Sequence, residues 1–160
     1  MSAAPRRVLF VCTGNLCRSP LARGLFEKHL AARPDGRGFV VDAAGIHAQA
    51  GLPPSAHTLE VAARRGLDLS AYRSRQVVAA DFERFEVLVA MDLGHLDWLR
   101  FVRPAKAACE LRLLLDARGR RPAREVPDPY GGTLRYYERV ARVIELGVKA
   151  LAAEWESAGY

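Results

Sequence analysis

The chain has 160 residues, half of them hydrophobic, and a formal net charge of +6 from 24 Lys and Arg against 18 Asp and Glu, which suits one domain with a real core, 1–160, rather than two. Met1–Arg7 leads straight into a strand too short for a signal-peptide core, no apolar run approaches membrane-spanning length, and three cysteines without a Cys-x2-Cys pair form neither a zinc site with the four histidines nor a secreted disulfide framework. A cytoplasmic protein with reduced thiols, no metal and no membrane partner is therefore expected; the positive charge favours anionic partners, but Arg64, Arg65, Arg73, Arg75, Arg118, Arg120, Arg121 and Arg124 are dispersed, and no nucleic-acid partner is expected.

Val8-Leu9-Phe10-Val11 is a continuous apolar run that predicts a buried strand. Cys12-Thr13-Gly14-Asn15-Leu16-Cys17-Arg18 is a short polar loop, and Ser19-Pro20 predicts a helix start, with Ser19 as the cap and Pro20 at the first helical position. Leu21, Ala22, Leu25, Phe26 and Leu30 then mark one helical face to about Ala32. A loop that ends at a helix N-terminus gathers backbone N–H groups and the positive end of a helix dipole, which together suit a tetrahedral oxyanion such as phosphate. Cys12 opens this loop and Arg18 closes it. A thiol facing those donors is expected to ionise more easily, and the planar guanidinium matches two phosphoryl oxygens. The chemistry inferred is phosphoryl transfer to Cys12, with the N–H groups of residues 13 to 18 holding the oxygens. The competing reading makes Cys12 a small buried hydrophobe at a strand end.

Phe39–Ala43 predicts a second buried strand, and strand, helix, strand at this separation imply a right-handed βαβ unit. Arg33–Gly38 turns the chain between them. Gly45–Pro54 reads as a loop, with His47 as a solvent-exposed histidine, and Ser55 caps a helix that Gly66 ends. Asp81–Phe85 predicts a helical turn, Glu86–Met91 a third strand, Asp92 the cap of a helix over Leu93–Phe101, and Glu110–Leu115 a fourth strand beside a core thiol, Cys109. Asp116–Glu125 is an arginine-rich loop. In Val126-Pro127-Asp128-Pro129-Tyr130-Gly131-Gly132 two prolines stiffen the backbone around Asp128. An aspartate so fixed can give a proton to a leaving oxygen and then take one from water. At an ordinary pKa of about 3.9 it would be ionised at neutral pH, so an acidic optimum or a raised pKa is expected. Tyr130 follows Asp128 closely and can supply an aromatic wall beside it. From Thr133 a last helix presents Leu134, Tyr137, Ala141, Ile144, Val148, Leu151 and Trp155 as a core stripe. The fold class is α/β: a four-stranded parallel sheet flanked by helices on both faces, with the phosphate-binding loop after the first strand.

The Cys12–Pro20 stretch resembles the active-site loop of the low-molecular-weight protein tyrosine phosphatases, bacterial type. The likeness extends to Asp42-Ala43-Ala44-Gly45, Arg75-Gln76, Ala90-Met91-Asp92 and Val126–Tyr130, in the family's order and over nearly the whole chain. It implies a metal-independent, cofactor-free hydrolase in which Cys12 attacks phosphorus and forms a phosphocysteine. Arg18 with Thr13, Gly14, Asn15, Leu16 and Cys17 binds the phosphoryl group, Ser19 hydrogen-bonds the sulfur, and Asp128 is acid then base. The implied partner is a phosphotyrosine protein, a bacterial tyrosine kinase among the candidates, and the protein is expected to be a monomer. The resemblance also implies a reversible Cys12–Cys17 disulfide under peroxide, packing being the alternative role for Cys17. Three positions depart from the pattern: Tyr72 stands where histidine is usual, Ala43 where serine is usual, and Gly131 where a second tyrosine is frequent. The first two weaken the expected network around Asn15, and the third widens the cleft. The rival activities are a protein-arginine phosphatase, whose loops resemble this one with threonine in place of Leu16, an arsenate reductase, which needs a further late cysteine pair, and a noncatalytic phosphate-binding module.

Overall fold

In the computed structural model, which describes residues 7–33, 38–118 and 125–157, strand β1 (Arg7–Cys12) is buried beyond its first residue because it is paired along both edges. It runs parallel to β2 (Val40–Gly45) on one side and to β3 (Val87–Ala90) on the other, and β3 pairs in parallel with β4 (Glu110–Leu113). The sheet order is β2-β1-β3-β4. The chain thus steps one way from β1 to β2 and the other way to β3, so the end of β1 lies at the crevice where open parallel sheets bind ligands.

Apolar residues alternate along β1 between two cores. Val8 and Phe10 face α1 (Arg18–Ala31), α2 (Ala56–Ala63) and α5 (Leu134–Ser157), where Phe26 meets Phe10 and Trp155 edge to face, each at 5.6 Å between ring centroids. Leu9 and Val11 face α3 (Asp81–Arg84) and α4 (Leu93–Val102), against Phe82, Phe85, Leu96 and Leu99. Helices therefore cover both faces, as expected. Among the described residues no helix is long and apolar enough to cross a membrane.

Several boundaries differ from those expected. β2 continues to Gly45, β3 is trimmed to Val87–Ala90, and β4 stops at Leu113. Leu114 and Leu115 leave the sheet in a 3₁₀ turn (Leu114–Arg118) because Gly147 of α5 leaves them room: a Cβ there would lie 2.8 Å from Leu114 Cγ. α1 starts at Arg18, with Cys17 at its cap position making no side-chain capping bond. Ser19 is therefore inside the first turn rather than the cap, and its hydroxyl is free for the loop. Pro20 is the third helical residue, still where an N–H has no helical partner. Ser55 does cap α2, accepting from the Thr58 N–H, and Gly66 follows that helix with a φ of +76°. The turn expected at 34–37 and the arginines at 120, 121 and 124 lie outside the described residues.

The end of β2 sets the position of the loop after β1. Gly45 donates its N–H to Arg75 and accepts from Val77, and a Cβ on it would lie 2.5 Å from the Thr13 carbonyl oxygen and 3.1 Å from the Asn15 nitrogen. Only a bare backbone allows that approach. Gly45→Ala is expected to destabilise the fold by about 2 kcal/mol, the scale of overpacking a rigid site, and to weaken phosphate binding. Denaturant unfolding with and without phosphate checks this; unchanged stability and phosphate affinity would refute the close fit.

Candidate active site

The loop from Cys12 to Arg18 turns at Asn15, whose φ of +59° is the sole left-handed backbone among described non-glycine residues. Asn15 is buried, and each end of its amide is tied. Oδ1 accepts from the Tyr72 hydroxyl (2.7 Å) and the Arg75 N–H (2.9 Å), while Nδ2 donates to Ser19 Oγ (2.8 Å). Ser19 Oγ lies 2.9 Å from Cys12 Sγ. Tyr72 thus fills the place where the resemblance leads one to expect histidine: the longer phenol reaches Asn15 and also stands 2.9 Å from the Ala43 carbonyl, where no serine is available. The departures at 43 and 72 compensate each other, and the loop support is intact. Burial pushes the Tyr72 phenol up to about 12, against the pull of its bond to Asn15, so it remains a donor throughout the neutral range.

The loop's carbonyls face outward and are taken by the following segment: Cys12 accepts from Ile46, Thr13 from His47 and Leu16 from Ser55. None of the N–H groups of residues 13 to 18 donates to a backbone carbonyl of another described residue. The backbone N–H groups of Ser19 and Asn15 are directed at the Cys12 sulfur. Burial nevertheless pushes the Cys12 thiol up from its ordinary value, with the Ser19 hydroxyl, the Arg18 guanidinium and those two N–H groups pulling down. Desolvation of the sulfur thus opposes the donors that the loop and Arg18 supply.

Arg18 is almost wholly buried, and its Nη1 is fixed by Asp92 Oδ2 and the Val126 carbonyl, both at 2.9 Å. Its Nη2 is left toward Thr13 Oγ1 (3.4 Å) and Asp128 Oδ2 (3.6 Å). Cys12, Thr13, Gly14, Leu16, Cys17, Arg18, Asp128 and Tyr130 together line a pocket of about 220 Å³. Asn15 and Ser19, expected among the phosphate-binding residues, are fully buried and absent from this lining; their side chains support the loop from behind. Asp128 is half exposed at the rim and accepts from the Tyr130 N–H (3.1 Å), which turns Tyr130 beside the pocket. Gly131 has a φ of +79°, so the turn after Tyr130 needs a glycine where a second tyrosine would be strained. Cys17 is buried with its sulfur 3.4 Å from both Ser55 Oγ and Tyr137 Oη, and all three cysteines are free thiols. His47 is exposed, as expected, and packs edge to face on Trp98.

Sequence reasoning missed two contributors. Asp92 caps α4 as expected, but its other carboxylate oxygen anchors Arg18. His95 is buried, with Nε2 2.8 Å from Thr13 Oγ1 and 3.4 Å from Arg18 Nη2. The spacing Asp92-x-x-His95 was the available signal, since it completes a capping box in which the His95 ring lies against the Asp92 N–H. Among the described residues no group of three or more His, Cys, Asp or Glu could hold a metal ion.

An α/β sheet whose first strand ends in a Cys-x5-Arg loop closed by an aspartate defines a cysteine-centred oxyanion site of the phosphatase class. The model for the low molecular weight phosphotyrosine protein phosphatase family matches residues 7–158, and the chain belongs to that cysteine-dependent family. It is 36% identical over 148 residues to the low molecular weight protein-tyrosine-phosphatase YfkJ of Bacillus subtilis, spanning 91% of this chain and 93% of the relative. It is 30% identical over 155 residues to a protein-arginine-phosphatase of Geobacillus stearothermophilus, spanning 96% and 98%. Among solved structures it matches a low molecular weight phosphotyrosine phosphatase of Vibrio cholerae O395 with a TM-score of 0.87 at 32% identity over 96% of this chain and 99% of that one. The tyrosine phosphatase Wzb of Escherichia coli K30, solved in complex with sulphate, matches with a TM-score of 0.83 at 25% identity over 94% and 98%.

Two consequences are measurable. Tyr72→Phe removes the hydroxyl that holds Asn15 and is expected to cost about 1 kcal/mol of stability, the scale of one buried hydrogen bond, and to weaken phosphate binding; unfolding and phosphate titration would expose an idle hydroxyl as no change in either. Ser19→Ala removes a donor to the sulfur, so the apparent pKa of Cys12, followed by the pH dependence of its alkylation, is expected to rise; a fall or no change would contradict the assigned hydrogen bond.

Proposed function

We propose that this chain hydrolyses phosphotyrosine in proteins through a phosphocysteine on Cys12. The carrying observation is that one pocket brings together Cys12, Arg18, whose Nη2 is turned toward Thr13 and Asp128, and the Asp128 carboxyl group, over a loop whose N–H groups have no backbone partner among the described residues. The Cys12 thiolate attacks phosphorus, the bond to the tyrosine oxygen breaks, and Asp128 gives that oxygen its proton. Water then attacks phosphorus, the P–S bond breaks, Asp128 takes the water proton, and phosphate leaves. Arg18 and the loop N–H groups, fixed before the reaction, hold the oxygens whose charge is redistributed in both steps. Tyr130 and Leu16 supply apolar walls for a phenyl ring.

The reading takes the chain as one phosphatase domain working in the cytoplasm as a monomer, and the three free, buried thiols suit a reducing compartment. Its protein substrates include tyrosine kinases that carry phosphotyrosine. Under peroxide, Cys17 leaves Ser55 and Tyr137 to join Cys12 in a disulfide, shielding the nucleophile from irreversible oxidation. Similarity to an arginine phosphatase supports a second reading, against which stands Leu16, a bulky apolar wall better suited to an aromatic ring than to a guanidinium.

Phosphate release from matched phosphotyrosine, phosphoserine and phosphoarginine peptides, without added metal, tests this. Turnover is expected for phosphotyrosine, abolished in Cys12→Ser and slowed about 100- to 10,000-fold in Asp128→Ala, the range for a lost general acid. Leu16→Thr is expected to raise the phosphoarginine to phosphotyrosine ratio. Preferential phosphoarginine turnover by the wild type would replace the proposal with the second reading, and phosphate binding without any turnover would reduce the chain to a binding module.

A further inference from the structure

Resting on the reading just given, the geometry assigns His95 as a positioning residue: a neutral imidazole that turns the Thr13 hydroxyl proton toward the phosphoryl oxygens. Thr13 lines the pocket, whereas His95 is buried behind it. The hydrogen bonds around the ring fix where its one proton sits. The Asp92 backbone N–H points at Nδ1 (3.3 Å), so Nδ1 carries a lone pair. Asp92 Oδ1 is 3.2 Å from the same nitrogen and accepts the His95 backbone N–H at 2.9 Å; it is the Asp92 N–H aimed at Nδ1, not the filling of this oxygen, that keeps a proton off Nδ1. The proton is therefore on Nε2, which donates to Thr13 Oγ1 at 2.8 Å; Arg18 Nη2, 3.4 Å from Nε2, then makes no hydrogen bond to the ring and turns its two N–H bonds to Thr13 Oγ1 and Asp128 Oδ2.

Thr13 Oγ1 has two lone pairs. One accepts from His95 Nε2–H and the other from Arg18 Nη2–H at 3.4 Å. With both acceptor positions filled, the hydroxyl can act only as a donor, and the pocket it lines is where a phosphoryl oxygen arrives. A threonine without His95 would be free to turn and accept from a loop N–H instead. The ring also stays uncharged. Its neighbours are the Arg18 guanidinium, 3.4 Å from Nε2, and the carboxylates of Asp92 and Asp128. Burial and Arg18 together outweigh the two carboxylates and push His95 down to about 4. An imidazolium would need a second ring proton directed at the Asp92 N–H.

The test combines a spectroscopic signature with a double-mutant cycle. In the 15N spectrum of the wild type between pH 5 and 8, His95 is expected as the neutral ring protonated on Nε2 alone; protonation on Nδ1, or a charged ring, would overturn the assignment whether or not any peptide is a substrate. On a phosphotyrosine peptide, His95→Leu is expected to lower kcat/KM about tenfold, the value of one oriented hydrogen bond. His95→Gln, which keeps a donor near Nε2, is expected to recover most of it. In the Thr13→Val background His95→Leu is expected to change kcat/KM less than threefold, because the group it acts through is gone. Multiplying losses in the cycle would overturn the proposal, since they would mean that His95 acts by another route. If His95→Leu does not fold, the 15N spectrum and the cycle run with His95→Asn, too short to reach Thr13, and Thr13→Val decide it. If the wild type turns over no phosphotyrosine, it is the proposed function that fails, and the same variants are read by titration of inorganic phosphate.

Discussion

Asn15 holds a backbone state that costs a non-glycine residue roughly 1 kcal/mol or more, and it persists because three hydrogen bonds, each worth about 1 kcal/mol net, meet on its side chain. Their sources are spread along the chain: Ser19 from the first turn of α1, and Tyr72 and Arg75 from the segment returning to the sheet. Gly45, at the end of β2, lets the loop lie directly against the sheet edge. The N–H groups of the loop can face the pocket only while its carbonyls are taken from outside by Ile46, His47 and Ser55. The anion site is thus a product of the whole parallel sheet and its connections, although its residues are contiguous in sequence.

The same arrangement creates opposed electrostatic demands. A buried sulfur resists ionisation, while the Ser19 hydroxyl, Arg18 and two N–H groups favour it. Arg18 is itself buried, a position that an unpaired guanidinium could not hold, and Asp92 together with the Val126 carbonyl meets that need on Nη1 alone. The division of labour on one guanidinium is what leaves Nη2 directed at the pocket. His95, neutral between Asp92 and Thr13, adds a fixed dipole without adding charge beside Arg18.

Most of this was legible in local patterns. The apolar run Val8–Val11, the Cys-x5-Arg spacing and the proline-flanked Asp128 are short-range signals: the first marks the central strand, and the other two mark residues that line the pocket. The limits of β4 and α1 were not, because both depend on tertiary room: Gly147 of α5 draws Leu114 out of strand geometry, and the sulfur of Cys12 draws the Ser19 hydroxyl away from a capping role. The substitutions at 43 and 72 read as separate losses in a one-dimensional comparison. In space they are one exchange, a longer phenol replacing two shorter polar groups. His95 was missed for a similar reason: its cap role was visible in the spacing from Asp92, but its second contact, 82 residues away on Thr13, was not.

The central claim is that the phosphoryl group passes through the Cys12 sulfur. Rapid acid quench of Asp128→Ala mixed with a phosphotyrosine peptide, followed by peptide mass mapping and 31P spectroscopy, tests it most directly. The account predicts a phosphoryl group on Cys12, absent in the variant that also carries Cys12→Ser. Phosphate release with no covalent phosphoenzyme at any quench time, or a phosphoryl group on another residue, would contradict it.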